Sequence, residues 1–277
     1  NGKYVFFFFF YRILENLKGN NIQALVMIGG DGTHAVGLEL GKIGVKVIGV
    51  PKTIDNDIPC TERTFGFDSA VGVASWALDR LHTTAESHHR VMILEVMGRY
   101  AGWIALHAGM AGGADAILIP EIPFSMDVII RKVRDRVERG KQFSIIVVAE
   151  GALPLGGEMT VKRIVEDSPE KIRLGGVGEK LAMEIEQRTE IESRCTVLGH
   201  LQRGGTPTAY DRILATRYGV AAVDCIVRGE FGRMVALQKN RITSVPIEDV
   251  VGKPHNVPAD DQLVLAGRSI GVCFGDE

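Results

Sequence analysis

The chain has 277 residues, 45% of them hydrophobic and 24% charged, with a formal net charge of −2. These values exclude a disordered or fibrous protein and fit one large α/β domain or two medium ones. Lys+Arg (32) and Asp+Glu (34) nearly balance, so no overall basic excess holds a nucleic-acid backbone and any anion site must be local.

The amino terminus carries five consecutive phenylalanines, Phe6 to Phe10, behind Lys3 and ahead of Tyr11. No small-residue cleavage site follows, as a signal peptide would require. A buried strand or a truncated terminus is expected there. Ile13, Leu14 and Leu17 then make one helical face, stopped at Gly19-Asn20. Apolar strands are predicted at 24–28 and 45–50, and a long helix at 67–86. A strand follows at 91–96, a helix at 102–110, a strand at 116–119, a helix at 128–137 and a strand at 143–149. Strands this apolar are buried on both faces, as in parallel sheets covered by helices. Residues 154–178 break the rhythm with Gly156-Gly157, Ser168-Pro169 and Gly175-Gly176, and read as a long, mobile connection. Alternation resumes with a helix at 178–190, a strand at 195–198 and a helix at 209–227.

The four cysteines, Cys60, Cys195, Cys225 and Cys273, form no CxxC pair and are too few for a disulfide framework. A reducing cytoplasm is expected. No apolar run reaches the roughly 20 residues that cross a bilayer, so neither a membrane nor a nucleic acid is an expected partner.

Gly29-Gly30-Asp31-Gly32-Thr33 directly follows the first strand. Ligands of α/β sheets bind beyond the carboxyl ends of strands, and glycines there let backbone N–H groups approach phosphate oxygens. Gly30, Asp31, Gly32 and Thr33 are the candidate nucleotide-binding residues. Asp31 would repel phosphate unless a cation lay between them, which makes it a candidate Mg²⁺ ligand. A tight turn with an aspartate cap is the alternative, and kinases of NAD and of diacylglycerol carry a similar motif. Pro51-Lys52-Thr53-Ile54-Asp55-Asn56-Asp57 follows the second strand. One of its carboxylates can take a proton from a substrate hydroxyl and the other can bind metal or orient the first. Thr53 can donate to a phosphoryl group in transfer, beside the positive charge of Lys52.

These segments, with Thr64-Phe65-Gly66-Phe67-Asp68-Ser69-Ala70, Glu95-Val96-Met97-Gly98-Arg99, Pro120-Glu121 and Leu198-Gly199-His200-Leu201-Gln202-Arg203-Gly204-Gly205, resemble the 6-phosphofructokinase family. The resemblance runs from about residue 20 to the carboxyl end. It implies an α/β fold of three-layer sandwiches with mainly parallel sheets, in two domains with the active site in the cleft between them. A phosphoryl-donor domain is expected over 1–66 plus 202–252, and a fructose 6-phosphate domain over 67–201 plus 253–277.

The implied reaction is phosphoryl transfer from ATP to the C1 hydroxyl of fructose 6-phosphate, with Mg²⁺. Asp55 would be the general base, Asp31 and Asp57 would lie around Mg²⁺, and Arg99 would neutralise the moving phosphoryl group. Thr53 belongs to the same catalytic set. Met97, Gly98 and Glu150 would hold the sugar, and His200 and Arg203 the 6-phosphate. Arg90 and Arg194 match two arginines that reach the 6-phosphate from a neighbouring subunit, so the resemblance implies a homo-oligomer, a dimer or tetramer, with shared sites. An effector phosphate site in the bacterial enzymes lies near the position of Lys141, which is not carried over as a site. His88-His89 is read as solvated, and 131–141 as a charged helix face.

Two positions bear on the donor. Gly32 leaves room for the α-phosphate of ATP, where pyrophosphate enzymes typically place an acid. Lys52 matches the pyrophosphate enzymes. Steric exclusion is harder to evade than an added positive charge, so ATP is favoured over pyrophosphate. Complete members of the family begin before the first glycine motif with a strand and a Gly-rich loop that clamps the donor. By this resemblance the chain lacks that segment, which is expected to leave exposed edge backbone and apolar surface and to impair the donor half. A non-catalytic sugar-phosphate-binding fragment is then the alternative function.

Overall fold

A computed structural model describes the backbone of residues 2–164 and 172–277, and the side chains among them outside 2–9, 162–164 and 172–173. The chain opens with α1 (Gly2–Gly19), β1 (Leu25–Gly29), α2 (Asp31–Lys42), β2 (Val47–Thr53) and β3 (Phe65–Gly66). It continues through α3 (Phe67–His88), β4 (Val91–Val96), α4 (Trp103–Ala111), β5 (Ala116–Leu118), α5 (Met126–Glu138) and β6 (Ser144–Ala149). Then come β7 (Val161–Ile164), β8 (Ile172–Leu174), α6 (Val177–Thr189), β9 (Ser193–Val197), α7 (Ala209–Arg228), β10 (Arg233–Gln238), β11 (Arg241–Pro246) and α8 (Gln262–Ser269). The described residues divide into two compact units. The first takes residues 1–53, 57–66 and 209–255, and the second takes 54–56, 67–208 and 256–277.

In the first unit the sheet order is β1-β2-β10-β11, with β3 against β2. β1, β2 and β10 run parallel and β11 pairs antiparallel with β10. One face is covered by Phe10, Ile13, Leu14 and Leu17 of α1 and Leu40 of α2, and the other by Leu214, Tyr218, Ala222 and Cys225 of α7. The phenylalanine run therefore lies in a helix, which corrects the expected strand. β1 also departs from its reading as a strand buried on both faces. It stands at one edge of the sheet and exposes Val26 (39%) and Ile28 (59%).

The second unit holds a fully parallel sheet in the order β5-β6-β4-β9. Every residue of β4 and β6 is buried, because helices cover both faces. Ala70, Ala74, Ala77 and Leu78 of α3 pack on one face with α4 and α8. Ile129 and Val133 of α5 and Leu181 and Ile185 of α6 pack on the other. α4 (WIALHAGMA) is apolar on all sides, as a helix enclosed in a core should be. The expected long connection at 154–178 contains a short antiparallel pair, β7 with β8, in which Ile164 is the register partner of Ile172. Ser168 and Pro169 lie outside the described residues. Each unit is thus a three-layer α/β sandwich.

Candidate functional site

In the first unit the glycine motif is the junction of β1 and α2. Gly29 ends the strand, Gly30 is the helix N-cap, and Asp31, Gly32 and Thr33 form the first turn. Thr33 and His34 donate their backbone N–H groups to Gly30 O at 3.0 and 3.1 Å. The N–H groups ahead of these two have no partner within the helix, and the macrodipole makes that end attractive to phosphate. A side chain at Gly29 would collide with Thr33, whereas one at Gly32 would enter open space. His34 is fully buried and its Nδ1 lies 2.8 Å from Gly30 O. Because that oxygen can only accept, Nδ1 carries the proton. Burial lowers the His34 pKa, which keeps the ring neutral.

Asp31 accepts from the Gly252 N–H at 3.0 Å. Burial raises the Asp57 pKa and the charge of Asp31 raises it further, against a hydrogen bond from its own backbone and the charge of His255. The buried Asp57 Oδ1 has no hydrogen-bond partner among the described residues. Two mutually repelling carboxylates, one with an orphaned oxygen, suit a hard cation. Among the described residues no three His, Cys, Asp or Glu side chains group to hold a metal. Mg²⁺ needs fewer, since it takes one or two carboxylates and fills its shell with water and phosphate oxygens. Thr53 ends β2, and its carbonyl accepts from Thr64 Oγ1 at 2.8 Å. Lys52 is exposed.

In the second unit the ends of β4 and β6 bring together the predicted sugar residues. Met97-Gly98-Arg99 follows β4 and Glu150 follows β6. The Glu150 N–H donates to Val96 O at 2.9 Å, and the Gly151 N–H to Gly98 O at 3.1 Å. Gly98 is required twice over. Its φ is +143°, and a Cβ would sit 2.8 Å from Ala101 O. A 3₁₀ turn over Gly199–Arg203 carries His200 and Arg203. Buried Gln202 fastens it, accepting from the Met97 N–H at 3.3 Å and donating to Gly199 O at 3.1 Å. The Arg99 guanidinium lies 5.0 Å from the centre of the Tyr100 ring.

Glu150 is the most perturbed carboxylic acid of the group, pushed up to about 6. Burial is the main cause, followed by the charges of Asp55 and Glu95. A hydrogen bond from the Gly98 backbone and the charge of Arg203 oppose the rise. Asp55, Glu150 and Arg203 therefore share one electrostatic neighbourhood.

Arg90 and Arg194 are not in it. Arg90 precedes β4, at the opposite end of that strand from Met97, and Arg194 lies beside Met92 in the register of β4 with β9. Both arginines pair with Glu192, Arg90 at 2.7 Å and Arg194 at 2.5 Å. Arg90 foremost holds the Glu192 carboxyl below its usual range. Lys141, with Asp115, Lys132, Arg136 and Arg139, lines a separate cavity of about 380 Å³. His88 and His89 are exposed, as expected.

Sequence reasoning gave no role to Glu95, Gln202 or His34. Glu95 had a signal, a lone acid in an otherwise apolar strand. Gln202 had none, because the Met97 N–H that it accepts from lies 105 residues away in sequence, and His34, bonded four residues back to Gly30 O, looks in the sequence like any residue of a helix.

Residues 7–226 match the family model for phosphofructokinase. The chain is 56% identical over 264 residues to ATP-dependent 6-phosphofructokinase 2 of Clostridium perfringens, covering 95% of this chain and 72% of that protein. It is 53% identical over 265 residues to pyrophosphate–fructose 6-phosphate 1-phosphotransferase of Streptomyces coelicolor, covering 95% of this chain and 76% of that protein. The crystal structure of a pyrophosphate-dependent phosphofructokinase from Marinobacter aquaeolei superposes with a TM-score of 0.78 at 26% identity, over 92% of this chain and 67% of that one. With that family model matched over most of its length and relatives more than half identical to it, the chain belongs to the phosphofructokinase family.

Proposed function

We propose that this chain transfers the γ-phosphoryl group of ATP to the C1 hydroxyl of fructose 6-phosphate. The gathering of Met97, Gly98, Glu150 and Arg203 at the ends of β4 and β6, with Asp55 acting on Glu150, carries this reading. Asp55 takes the proton of the C1 hydroxyl, and the C1 oxygen forms a bond to the γ-phosphorus as the bond to the ADP oxygen breaks. Arg99 and Thr53 face the charge of the phosphoryl group in transfer. Glu150 accepts from sugar hydroxyls, Met97 and Gly98 line the sugar, and His200 and Arg203 hold the 6-phosphate.

Gly30 and Gly32 cradle the donor phosphates with their N–H groups, and Thr33 does so with its hydroxyl, since its own N–H is taken by Gly30 O. Asp31, with Asp57, would hold Mg²⁺, which when bound supplies positive charge to those phosphates. The repelling pair and the orphaned Asp57 oxygen support that assignment. The open space beside Gly32 supports ATP as donor. Pyrophosphate is the second reading, favoured by Lys52 and by relatives named for that donor. Arg90 and Arg194 lie at the far end of the sheet from Met97, which supports a homo-oligomer in which they serve a neighbouring subunit. The four cysteines are free, which suits the cytoplasm. Among the described residues no helix is long and apolar enough to cross a membrane.

Replacing the base tests the reading. Asp55→Asn should lower kcat by about 10³-fold or more while fructose 6-phosphate still binds, since one step of proton transfer is lost and the sugar contacts stay. Unchanged kcat in Asp55→Asn would remove Asp55 from the chemistry.

A further inference from the structure

Glu95 is a charged residue at the heart of the second unit that the proposed chemistry does not use. It is 2% exposed, in the central strand β4 between β6 and β9. A carboxylate buried this deeply is tolerated only when its oxygens are well satisfied. Its partners are the backbone N–H groups that open α6. Gly176 N lies 3.1 Å from each oxygen, and Gly178 N lies 2.8 Å from Oε2. The helix dipole adds to these bonds, because the N-terminal end is positive.

The sequence around α6 is shaped to this contact. The N-cap Gly176 has φ +88°, and Gly175 has φ +130°. A Cβ at Gly178 would sit 2.6 Å from Cys195 Sγ and 3.2 Å from Glu95 Oε2. The charge of Glu95 also reaches its neighbours. With burial as the larger cause, it helps push the Cys195 thiol up to about 12. The backbone of the same strand carries the sugar-phosphate residues. Glu95 O accepts from the Leu198 N–H at 2.9 Å, immediately before the His200–Arg203 turn, and Val96 O accepts from the Glu150 N–H at 2.9 Å.

We propose that Glu95 is a positioning residue for the sugar-phosphate site, locking the start of α6 to β4 so that the strand end presents Met97, Glu150 and the His200–Arg203 turn in one fixed arrangement. The inference rests on the reading of that site given above. Glu95 touches no substrate in this account. It acts through the strand it anchors and through its charge on Glu150, which also faces Asp55, Arg203 and the Gly98 backbone.

Glu95→Gln and Gly178→Ala test it, with fructose 6-phosphate as the probe. Gln keeps the shape but turns an NH₂ group toward N–H donors and removes the charge. Ala at 178 pushes first against Cys195 Sγ and then against the Glu95 side chain, displacing the start of α6 while leaving the charge in place. Both should raise KM for fructose 6-phosphate roughly 10-fold or more, with KM for ATP unchanged, as expected for a misplaced rather than a missing contact. Only Glu95→Gln should move the acid limb of the fructose 6-phosphate KM profile to lower pH, because only it removes a negative charge facing Glu150. Wild-type KM and an unmoved acid limb in folded Glu95→Gln would overturn the proposal. If Glu95→Gln does not fold, wild-type KM in Gly178→Ala would overturn it. Failure of the unmodified chain to bind fructose 6-phosphate would instead overturn the site reading, and this inference with it.

Discussion

The charge of Asp31 bears on Asp57, a carboxylate already raised by burial and holding one buried oxygen without a hydrogen-bond partner among the described residues. Because the folded pKa of Asp57 lies above its usual value of 3.8, its contribution to stability is full below about that pH. It is lost as the pH rises through the folded value. A divalent cation at this pair reverses that loss at neutral pH. Mg²⁺ at about 100 times its Kd should stabilise the chain by about 2.7 kcal/mol. Asp57→Asn should lose most of this gain in a thermal melt with and without Mg²⁺. An equal Mg²⁺ gain in the variant would place the cation elsewhere.

Glu150 gives a second pH dependence. Its value of about 6 against the usual 4.5 means that the folded chain loses stability between roughly pH 4.5 and 6 as the group ionises. Allowing for its partial exposure, the loss is on the order of 1 kcal/mol. In urea titrations Glu150→Gln should flatten this part of the profile. Ionised Glu150 is the stronger acceptor for sugar hydroxyls, so KM for fructose 6-phosphate should rise as the pH falls below about 6. A phosphate monoester also titrates near 6, so the part of the rise that Glu150→Gln abolishes belongs to the protein.

The space beside Gly32 makes donor choice testable without damage to the fold. Its φ is not positive and a Cβ there meets nothing within 4 Å, so Gly32→Asp should fold normally. The new carboxylate should occupy the place of the α-phosphate and lower kcat/KM for ATP by about 10²-fold or more. Retained use of ATP by the folded variant would show that the nucleotide lies elsewhere.

Glu121 predicts a loss of stability. Its carboxylate accepts from Gly102 N at 3.0 and 3.2 Å, at the start of α4, and from Val257 N at 2.8 Å. Glu121→Ala leaves these N–H groups without their acceptor and should cost about 1–3 kcal/mol in chemical unfolding. A change below about 0.5 kcal/mol would mean that water replaces the carboxylate at no cost.

Much of this fold was legible because its strands are unusually apolar. VMILEV of β4 and SIIVVA of β6 are buried throughout, β4 beginning after Arg90 and β6 ending before Glu150. The helix starting at Asp31 went unread, because a glycine-rich phosphate loop and the first turn of a helix use the same residues. β10, β11 and α8 were missed as well. RMVALQ begins and ends on polar residues and RITSVP begins by alternating exposed with half-buried positions, so neither is the unbroken apolar run that marks β4 and β6. Phe6 to Phe10 misled in the other direction, since aromatic side chains favour strands, yet the segment is part of a helix packed on the sheet through Phe10, Ile13, Leu14 and Leu17. At the candidate site, the residue types and their strand-end positions were readable. The carboxylate of Glu95 on the α6 N–H groups was not, because 81 residues separate Glu95 from Gly176 and no periodicity links them.

The central claim is tested most directly by incubating the folded chain with fructose 6-phosphate and Mg²⁺, with ATP and pyrophosphate in parallel, and assaying fructose 1,6-bisphosphate. The account predicts product with ATP, dependent on Mg²⁺, and its loss in Asp55→Asn. Product with pyrophosphate alone, or none from a folded sample that binds the sugar phosphate, would contradict it.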